Sequence, residues 1–236
     1  MKTNFIVKRK FILPACILCL AALLSSCLKS STTDYAPPAA LVSFFQASPD
    51  EAALDLYFNN NKVNLGPINY GTGLDYFRAY AGVRTINFYT YGVMSQVFSD
   101  TATIKANQVY SLFLTDKSNK PELVLLNDTI KQPQPNTASI RFVDLSPDAP
   151  NVDLVLSNVV TVTNKTYKGY SSFLPVTGNS TYNIQVNRAG TSTVLATLSN
   201  VTFNTNKVYT IIFSGLVSGT TTADQPAIYY VTNAYY

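Results

Sequence analysis

Beyond residue 38, short apolar runs alternate with polar, turn-forming segments along the whole chain. The runs are rich in Val, Ile, Tyr, Phe and Thr, and they are separated by Gly, Pro, Asn and Asp. Such runs are typical of strands, and no stretch after Cys27 repeats apolar residues at helical spacing. The pattern therefore predicts an all-β protein with strands at 41–46, 53–58, 83–91, 101–105, 109–115, 122–126, 139–144, 152–156, 182–187, 194–198, 208–213 and 228–232.

Two sequence motifs recur at nearly the same interval, which indicates an internal duplication. The stretch "ASPDEAALDLYF" recurs 98 residues later as "LSPDAPNVDLVL", and "KANQVYSLFL" recurs 99 residues later as "NTNKVYTIIF". Fixed-period similarity is the signature of repeated structural units. The polar, proline-containing stretch "NDTIKQPQPNT" lies between the two copies and suits a boundary. We predict two tandem domains, 39–130 and 137–236, joined by a linker at 131–136.

The number of predicted strands limits the architecture of each domain. Roughly seven short strands in a domain of this size favour two sheets packed face to face. We therefore predict two tandem antiparallel β-sandwiches. The immunoglobulin-like and transthyretin-like arrangements are both compatible with the strand pattern.

The N-terminus has the organisation of an export signal. Four basic residues within positions 2–10 precede an apolar run over 11–24, which is shorter than the roughly 20 residues of a membrane-spanning helix. Small residues then precede Cys27 in "LSSC", which resembles the lipobox of bacterial lipoproteins. The resemblance implies a signal peptide at 1–26, lipidation of Cys27 and a polar tether at 27–38. We expect an outer membrane lipoprotein that faces either the periplasm or the cell surface, held at the membrane through its acyl chains.

The net charge of +4 belongs to this leader and not to the predicted domains. The chain has 17 Lys+Arg and 13 Asp+Glu, and residues 1–26 hold four of the basic residues and none of the acidic ones. The remainder is neutral and has no basic stripe, which argues against nucleic acid as a partner. The three cysteines, Cys16, Cys19 and Cys27, all precede the domains, and the chain has no histidine. Cysteine- and histidine-based catalysis and zinc sites are therefore excluded from the domains, and we expect neither cofactor nor metal.

Asp50 and Asp55 form a carboxylate pair that recurs as Asp148 and Asp153. A glycosidase would need two such groups facing one cleft. In "ALDLYF" the leucines are expected to face the core, and side chains alternate along a strand, so Asp55 should point outward. The same alternation in the second copy should direct Asp153 outward. The simplest interpretation is a structural turn in which the aspartate after proline accepts hydrogen bonds from nearby backbone N–H groups. A weak calcium or other ligand contact is a second alternative, and catalysis is a third.

The second copy of this motif also carries a family resemblance. The stretch "SPDAPNVDL" resembles the S-P-D-A-P-x-V-D signature of a bacterial family of unknown function, DUF4397. The second unit keeps the pattern from Ser146 to Asp153, whereas the first has "EAAL" in place of Ala-Pro-x-Val. The resemblance covers both units. It implies an exported, β-rich, often tandem protein and implies no activity.

Tyrosine and phenylalanine are abundant in this chain, which has 16 Tyr and 13 Phe. In "TINFYTY" the isoleucine and phenylalanine suit the core, which turns Tyr89 and Tyr91 outward, and Tyr76 and Tyr80 lie shortly before them. Outward tyrosines can stack on sugars or anchor a protein partner. Tyrosine is also an ordinary residue of half-exposed sheets. We treat these four tyrosines as a candidate binding face.

These observations favour a non-enzymatic binding, adhesion or scaffold module that contacts a glycan or an envelope protein. Two alternatives remain open at this point. One is a carboxylate-based hydrolase such as a glycosidase, and the other is a structural component of an envelope assembly.

Overall fold

Residues 37–236 are described by the computed structural model, and they contain sixteen strands and no helix. The all-β prediction is confirmed. Within this part of the chain, no helix is long and apolar enough to cross a membrane. The predicted signal peptide, Cys27 and most of the tether lie outside the described residues.

The strands divide into two sandwiches of eight. The first sandwich contains β1 (Ala39–Gln46), β2 (Leu54–Phe58), β3 (Asn61–Lys62), β4 (Gly73–Tyr80), β5 (Gly82–Thr90), β6 (Gln96–Ile104), β7 (Val109–Thr115) and β8 (Glu122–Asn127). The second contains β9 (Thr137–Asp144), β10 (Val152–Leu156), β11 (Val159–Lys165), β12 (Leu174–Thr177), β13 (Ser180–Arg188), β14 (Val194–Phe203), β15 (Lys207–Ser214) and β16 (Ala227–Tyr235).

Both sandwiches have the same topology, as expected for a duplication. The sheets of the first are ordered β4-β1-β7-β8 and β3-β2-β5-β6, and those of the second are β12-β9-β15-β16 and β11-β10-β13-β14. In each sandwich the first and seventh strands pair in parallel, so one sheet is mixed where the sequence predicted antiparallel pairing throughout. An immunoglobulin constant-type sandwich places its first, second, fourth and fifth strands in one sheet. Here the second and fifth strands lie apart from the first and fourth, so the strand order differs from that of the immunoglobulin constant-type sandwich.

The main cores lie between the two sheets of each sandwich. Alternation along β1 directs Val42 and Phe44 into the first core, where the ring of Phe44 packs 5.3 Å from that of Phe88. In the second core Phe203 packs 4.9 Å from Tyr209. Burying one such side chain contributes roughly 1.5–3 kcal/mol.

A third apolar core joins the two sandwiches. Phe45 and Phe113 point away from the first core and pack with Val143 and Ile212 of the second sandwich. The sheet with β1 and β7 is therefore covered on both faces, which explains its nearly continuous apolar runs. Residues 38–236 accordingly form one compact unit.

A buried ion pair lies beside this junction core. Nη1 of Arg141 donates a 2.6 Å hydrogen bond to Asp128, and Nη2 donates to Ser111 Oγ and Thr210 Oγ1. The other oxygen of Asp128 accepts hydrogen bonds from the hydroxyls of Tyr76 and Ser111, at 2.6 and 2.7 Å. Each charge is thus paired and surrounded by further hydrogen bonds, which is the condition for burying an ion pair.

Candidate functional site on the first sandwich

The Ser-Pro-Asp turns fasten loops that are distant in sequence. Asp50 accepts hydrogen bonds from the backbone N–H and hydroxyl of Ser118, at 2.7 and 3.0 Å. Asp148 accepts from the N–H groups of Val217 and Ser218 and from the Ser218 hydroxyl, at 2.7, 2.9 and 2.6 Å. These partners lie 68 to 70 positions away, so the role of the aspartates extends beyond the nearby backbone that the sequence suggested. Burial alone would raise the pKa of Asp148, but the hydrogen bonds from Ser218 and Val217 outweigh it and lower the pKa.

Asp55 and Asp153 lie on the outer faces of their sheets, but neither is open to solvent. Their exposed fractions are 4 and 6 %, so the outward position in the strand does not make these carboxylates accessible. Neighbouring side chains and a hairpin turn cover Asp55. It accepts hydrogen bonds from Asn64 Nδ2 at 2.9 Å and from Gly92 N–H at 3.1 Å, and it pairs with Lys62 Nζ at 2.7 Å.

The second sandwich repeats this arrangement without the lysine. Asp153 accepts hydrogen bonds from Asn164 N–H and Gly190 N–H, at 2.7 and 2.9 Å. Gly92 and Gly190 both have a left-handed backbone, with φ of 75° and 70°, which glycine adopts without steric cost. In each sandwich the aspartate therefore holds the turn between the fifth and sixth strands in a fixed conformation.

The carboxylates do not converge on one cleft. Both oxygens of Asp50 and of Asp55 are occupied by protein donors, and these donors belong to different loops. Burial acts to raise the pKa of Asp55, and contacts with Lys62, Asn64 and Gly92 lower it below its usual value. Among residues 37–236 no cluster of three or more His, Cys, Asp or Glu is placed to hold a metal ion.

The four predicted tyrosines do not share one face. Tyr76 and Tyr80 belong to β4, in the sheet with β1, whereas Tyr89 belongs to β5, in the opposite sheet, and Tyr91 follows it. Tyr76 points into the junction and donates to Asp128, and burial together with that carboxylate raises its pKa. Tyr80 is exposed at the end of its strand. Only Tyr89 and Tyr91 remain as parts of a single surface.

Tyr89 and Tyr91 belong to a cluster that the sequence interpretation only partly anticipated. The ring of Tyr57 meets that of Tyr89 edge to face at 5.2 Å, and the Tyr57 hydroxyl lies 3.9 Å from Met94 Sδ. Lys62 Nζ lies 5.4 Å from the centre of the Tyr91 ring. Strand alternation placed Tyr57 on the same side as Asp55, and that signal could have identified it.

We call this cluster the hairpin surface, and it consists of Tyr57, Lys62, Tyr89, Tyr91, Val93 and Met94. Its outermost side chains are apolar and protrude from the turn at 91–95. Met94 is 74 % exposed, Val93 54 % and Tyr91 40 %. Contiguous apolar side chains with this exposure mark interaction sites on soluble domains.

The second sandwich provides a reference for what the fold requires at this turn. Hydrogen bonds at the two turns correspond at a shift of 98, as in Thr90 N–H to Ser95 C=O and Arg188 N–H to Thr193 C=O. At that shift Tyr91, Val93 and Met94 correspond to Ala189, Thr191 and Ser192. The fold therefore forms the same turn with small and polar residues and does not require the apolar side chains of the hairpin surface.

The hairpin surface lies at the end of the sandwich away from Ala39. Strand β1 runs from Ala39 to Gln46, and the Ser-Pro-Asp turn follows it. Thr90 pairs with Leu54, the first residue after that turn, so the hairpin is at the same end. Eight residues at roughly 3.3 Å per residue separate the two ends by about 25 Å. The surface is thus remote from the point where the described chain begins.

Comparisons with known proteins identify a family for one segment and weak structural similarities for the chain. Residues 40–155 match the model of the family described as "Domain of unknown function (DUF4397)". No curated protein matches the chain significantly. The chain is similar to the crystal structure of CBMbc (family CBM26) from Eubacterium rectale Amy13K in complex with maltoheptaose. That similarity has 10 % identity over 81 % of this chain and 96 % of that one, with a TM-score of 0.26.

It is also similar to a crystal structure of "putative polysaccharide binding proteins (DUF1812)" from Bacteroides thetaiotaomicron VPI-5482. The identity is 8 % over 75 % of this chain and 92 % of that one, with a TM-score of 0.23. Similarities this weak carry no conclusion about the ligand.

Proposed function

Because residues 40–155 belong to the DUF4397 family, whose function is not assigned, we propose a function from the geometry of the hairpin surface alone. The protein is a non-enzymatic binding module, and its first sandwich docks a partner through this surface. The observation that supports the proposal is the protrusion of Tyr91, Val93 and Met94 from a turn that Asp55 holds rigid. A fixed turn presents these side chains without a large loss of conformational entropy on binding.

A protein partner suits this surface better than a glycan. Sugar rings stack on flat, open aromatic faces, whereas the rings of Tyr57 and Tyr89 pack edge to face against each other. The most exposed residues, Val93 and Met94, have no ring. Tyrosine and methionine are enriched at protein interfaces, and methionine adapts its shape to a partner. We therefore propose an envelope protein as the partner.

The experiment compares the full chain with a hairpin-swap variant on an array of envelope proteins and an array of glycans. The variant carries Tyr91→Ala, Val93→Thr and Met94→Ser, which are the residues of the second sandwich at the same turn. The wild type is expected to be retained by a protein on the array, and the variant to lose at least tenfold in affinity.

Val159→Thr is the matched control, because it removes an exposed apolar side chain of the second sandwich. This control should bind as the wild type does. Equal retention of the hairpin-swap variant would contradict the proposal. Loss of retention on the glycan array alone would mean that the surface binds sugar.

We further propose that the protein is exported and anchored at the outer membrane through Cys27. The support is the order of basic residues, apolar run, small residues and cysteine in the leader. The variant Cys27→Ser should be released from the membrane fraction, whereas the wild type should remain in it. Continued attachment of this variant would exclude lipidation at Cys27 as the anchor.

A further inference from the structure

A groove of about 570 Å³ lies between the linker and the end of the second sandwich at which β9 begins. Its two walls are tied together by backbone hydrogen bonds. Gly178 N–H donates to Asn136 C=O at 2.9 Å, and Asn206 N–H donates to Thr137 C=O at 3.0 Å. We call this feature the linker groove. Its volume lies within the roughly 300–1,000 Å³ of small-molecule sites.

The lining of the linker groove is amide-rich and uncharged. Five side-chain amides contribute to it, and the remaining lining residues are one threonine and two prolines. An amide both donates and accepts hydrogen bonds, which matches a ligand whose groups do the same. The amides belong to Gln132, Gln134, Asn136, Asn179 and Asn206.

Both walls of the linker groove are held in place. Asn179 Oδ1 accepts hydrogen bonds from the N–H and hydroxyl of Thr205, at 3.1 and 3.4 Å, so its amide nitrogen is directed away from Thr205. A side chain at Gly178 would lie 2.3 Å from Thr205 Cγ2, so the two loops can meet only because residue 178 is glycine. On the linker, Gln134 C=O accepts from the N–H and hydroxyl of Thr137, at 3.0 and 2.8 Å.

The fold does not require the polar groups at two of these positions. At the aligned positions the first sandwich has Ala81 in place of Asn179 and Ala106 in place of Thr205. The strands on either side correspond, since Gly82 pairs with Ile104 as Ser180 pairs with Phe203. Asn206, by contrast, aligns with Asn107, and both have a left-handed backbone. The amide of Asn179 is therefore peculiar to the second sandwich, whereas that of Asn206 occurs in both.

We propose that the linker groove binds a neutral saccharide. Hydroxyl groups donate and accept hydrogen bonds as the amides do, and the exposed ring of Pro135 offers apolar surface to the C–H face of a sugar. A phosphorylated or acidic ligand would lack a cationic partner among the lining residues. A peptide would lack the apolar side-chain pocket that usually anchors it. The proposal does not rest on the hairpin surface.

The test is affinity electrophoresis of the full chain through gels that contain an α-glucan, a β-glucan, a mannan or a xylan. At least one of these polysaccharides should retard the wild type. Gln134→Ala and the double variant Asn179→Ala with Gln134→Ala should bind it more weakly, the double variant by about thirtyfold, since it loses two side-chain hydrogen-bonding groups. Gln96→Ala, which removes an exposed amide of the first sandwich, should leave the retardation unchanged.

Three outcomes would overturn the proposal. One is the absence of retardation of the wild type in all four gels. Another is equal retardation of the wild type and of Gln134→Ala and the double variant. The third is loss of retardation in the hairpin-swap variant, because the saccharide would then bind at the other site.

Discussion

The guanidinium of Arg141 in the second sandwich donates a 2.6 Å hydrogen bond to the carboxylate of Asp128 in the first. Both side chains are buried, with exposed fractions of 2 and 0 %. The two sandwiches therefore share one ion pair that water does not reach. Loss of either partner leaves an uncompensated charge in the interior.

Replacement of Arg141 is expected to destabilise the protein strongly. Arg141→Met should lower the free energy of unfolding by about 3–5 kcal/mol, because Asp128 would remain buried without its partner. Denaturant unfolding followed by circular dichroism measures this change. Arg78→Met is the control, since Arg78 is an exposed arginine on β4 and its loss should cost less than about 0.5 kcal/mol. Equal effects of the two substitutions would contradict the role of the pair.

The end of β9 contains a second buried carboxylate, in Asp144. Its Oδ1 accepts a 3.0 Å hydrogen bond from Ser146 N–H, and its Oδ2 is buried without a hydrogen-bond partner among the described residues. Burial raises the pKa of Asp144 to about 7, against the lowering effect of the Ser146 hydrogen bond. The first sandwich has the neutral Gln46 at the aligned position, where Oε1 accepts from Ser48 N–H.

Asp144 should make stability depend on pH. The folded state holds the proton more tightly than the unfolded state, whose pKa is near 3.8. The contribution of Asp144 to stability is therefore fully present below pH 4 and is lost as the pH rises from about 4 to 7. Asp144→Asn should remove this dependence and stabilise the protein above pH 7 by at most about 4 kcal/mol, at about 1.4 kcal/mol per pKa unit. Denaturant unfolding of the wild type and of Asp144→Asn from pH 4 to 8 tests this prediction. The same dependence of the unfolding free energy on pH in both proteins would refute it.

Asp55 should protect the hairpin turn from local opening. Asp55→Ala removes the acceptor of Gly92 N–H, and a hydrogen bond to a charged group contributes roughly 1.5–3 kcal/mol, so exchange of this amide should accelerate about tenfold or more. Amide hydrogen exchange followed by NMR measures the exchange rate of Gly92 N–H in the wild type and in the variant. Gly190 N–H, held by Asp153, is the internal control and should keep its rate. Equal acceleration at both amides would indicate global destabilisation instead of a local role.

Apolar periodicity predicted all eight central strands and four of the eight edge strands, β6, β8, β14 and β16. All four strands without a sequence prediction, β3, β4, β11 and β12, lie at the edge of a sheet. An edge strand has a neighbouring strand on one side only, so its sequence is under weaker selection for apolar residues. Two of the four strands illustrate this: β4 has the mixed sequence "GLDYFRAY", and β12 contains Pro175. Proline is tolerated at an edge because no partner needs its missing N–H.

The carboxylates show a different limit of sequence interpretation. Strand alternation correctly placed Asp55 on the outer face of its sheet. It could not predict that Asn64 and the hairpin would cover this carboxylate, because those contacts depend on how the loops pack. The partner of Asp50 is Ser118, 68 residues away, and nothing in the local sequence points to it.

The most direct test of the proposed docking site uses Met94 as a reporter. The chain has two methionines, Met1 and Met94, and Met1 lies in the predicted signal peptide. Methyl labelling of methionine in the processed protein, which would begin at Cys27, therefore gives one signal, and it comes from the hairpin surface. Detergent-solubilised envelope proteins, freed of polysaccharide, are added to the labelled processed protein, and binding is followed in parallel by co-sedimentation. A partner docked on the hairpin surface should shift or broaden the Met94 signal. An unchanged Met94 signal, whether a partner binds elsewhere or none binds at all, would contradict the proposal.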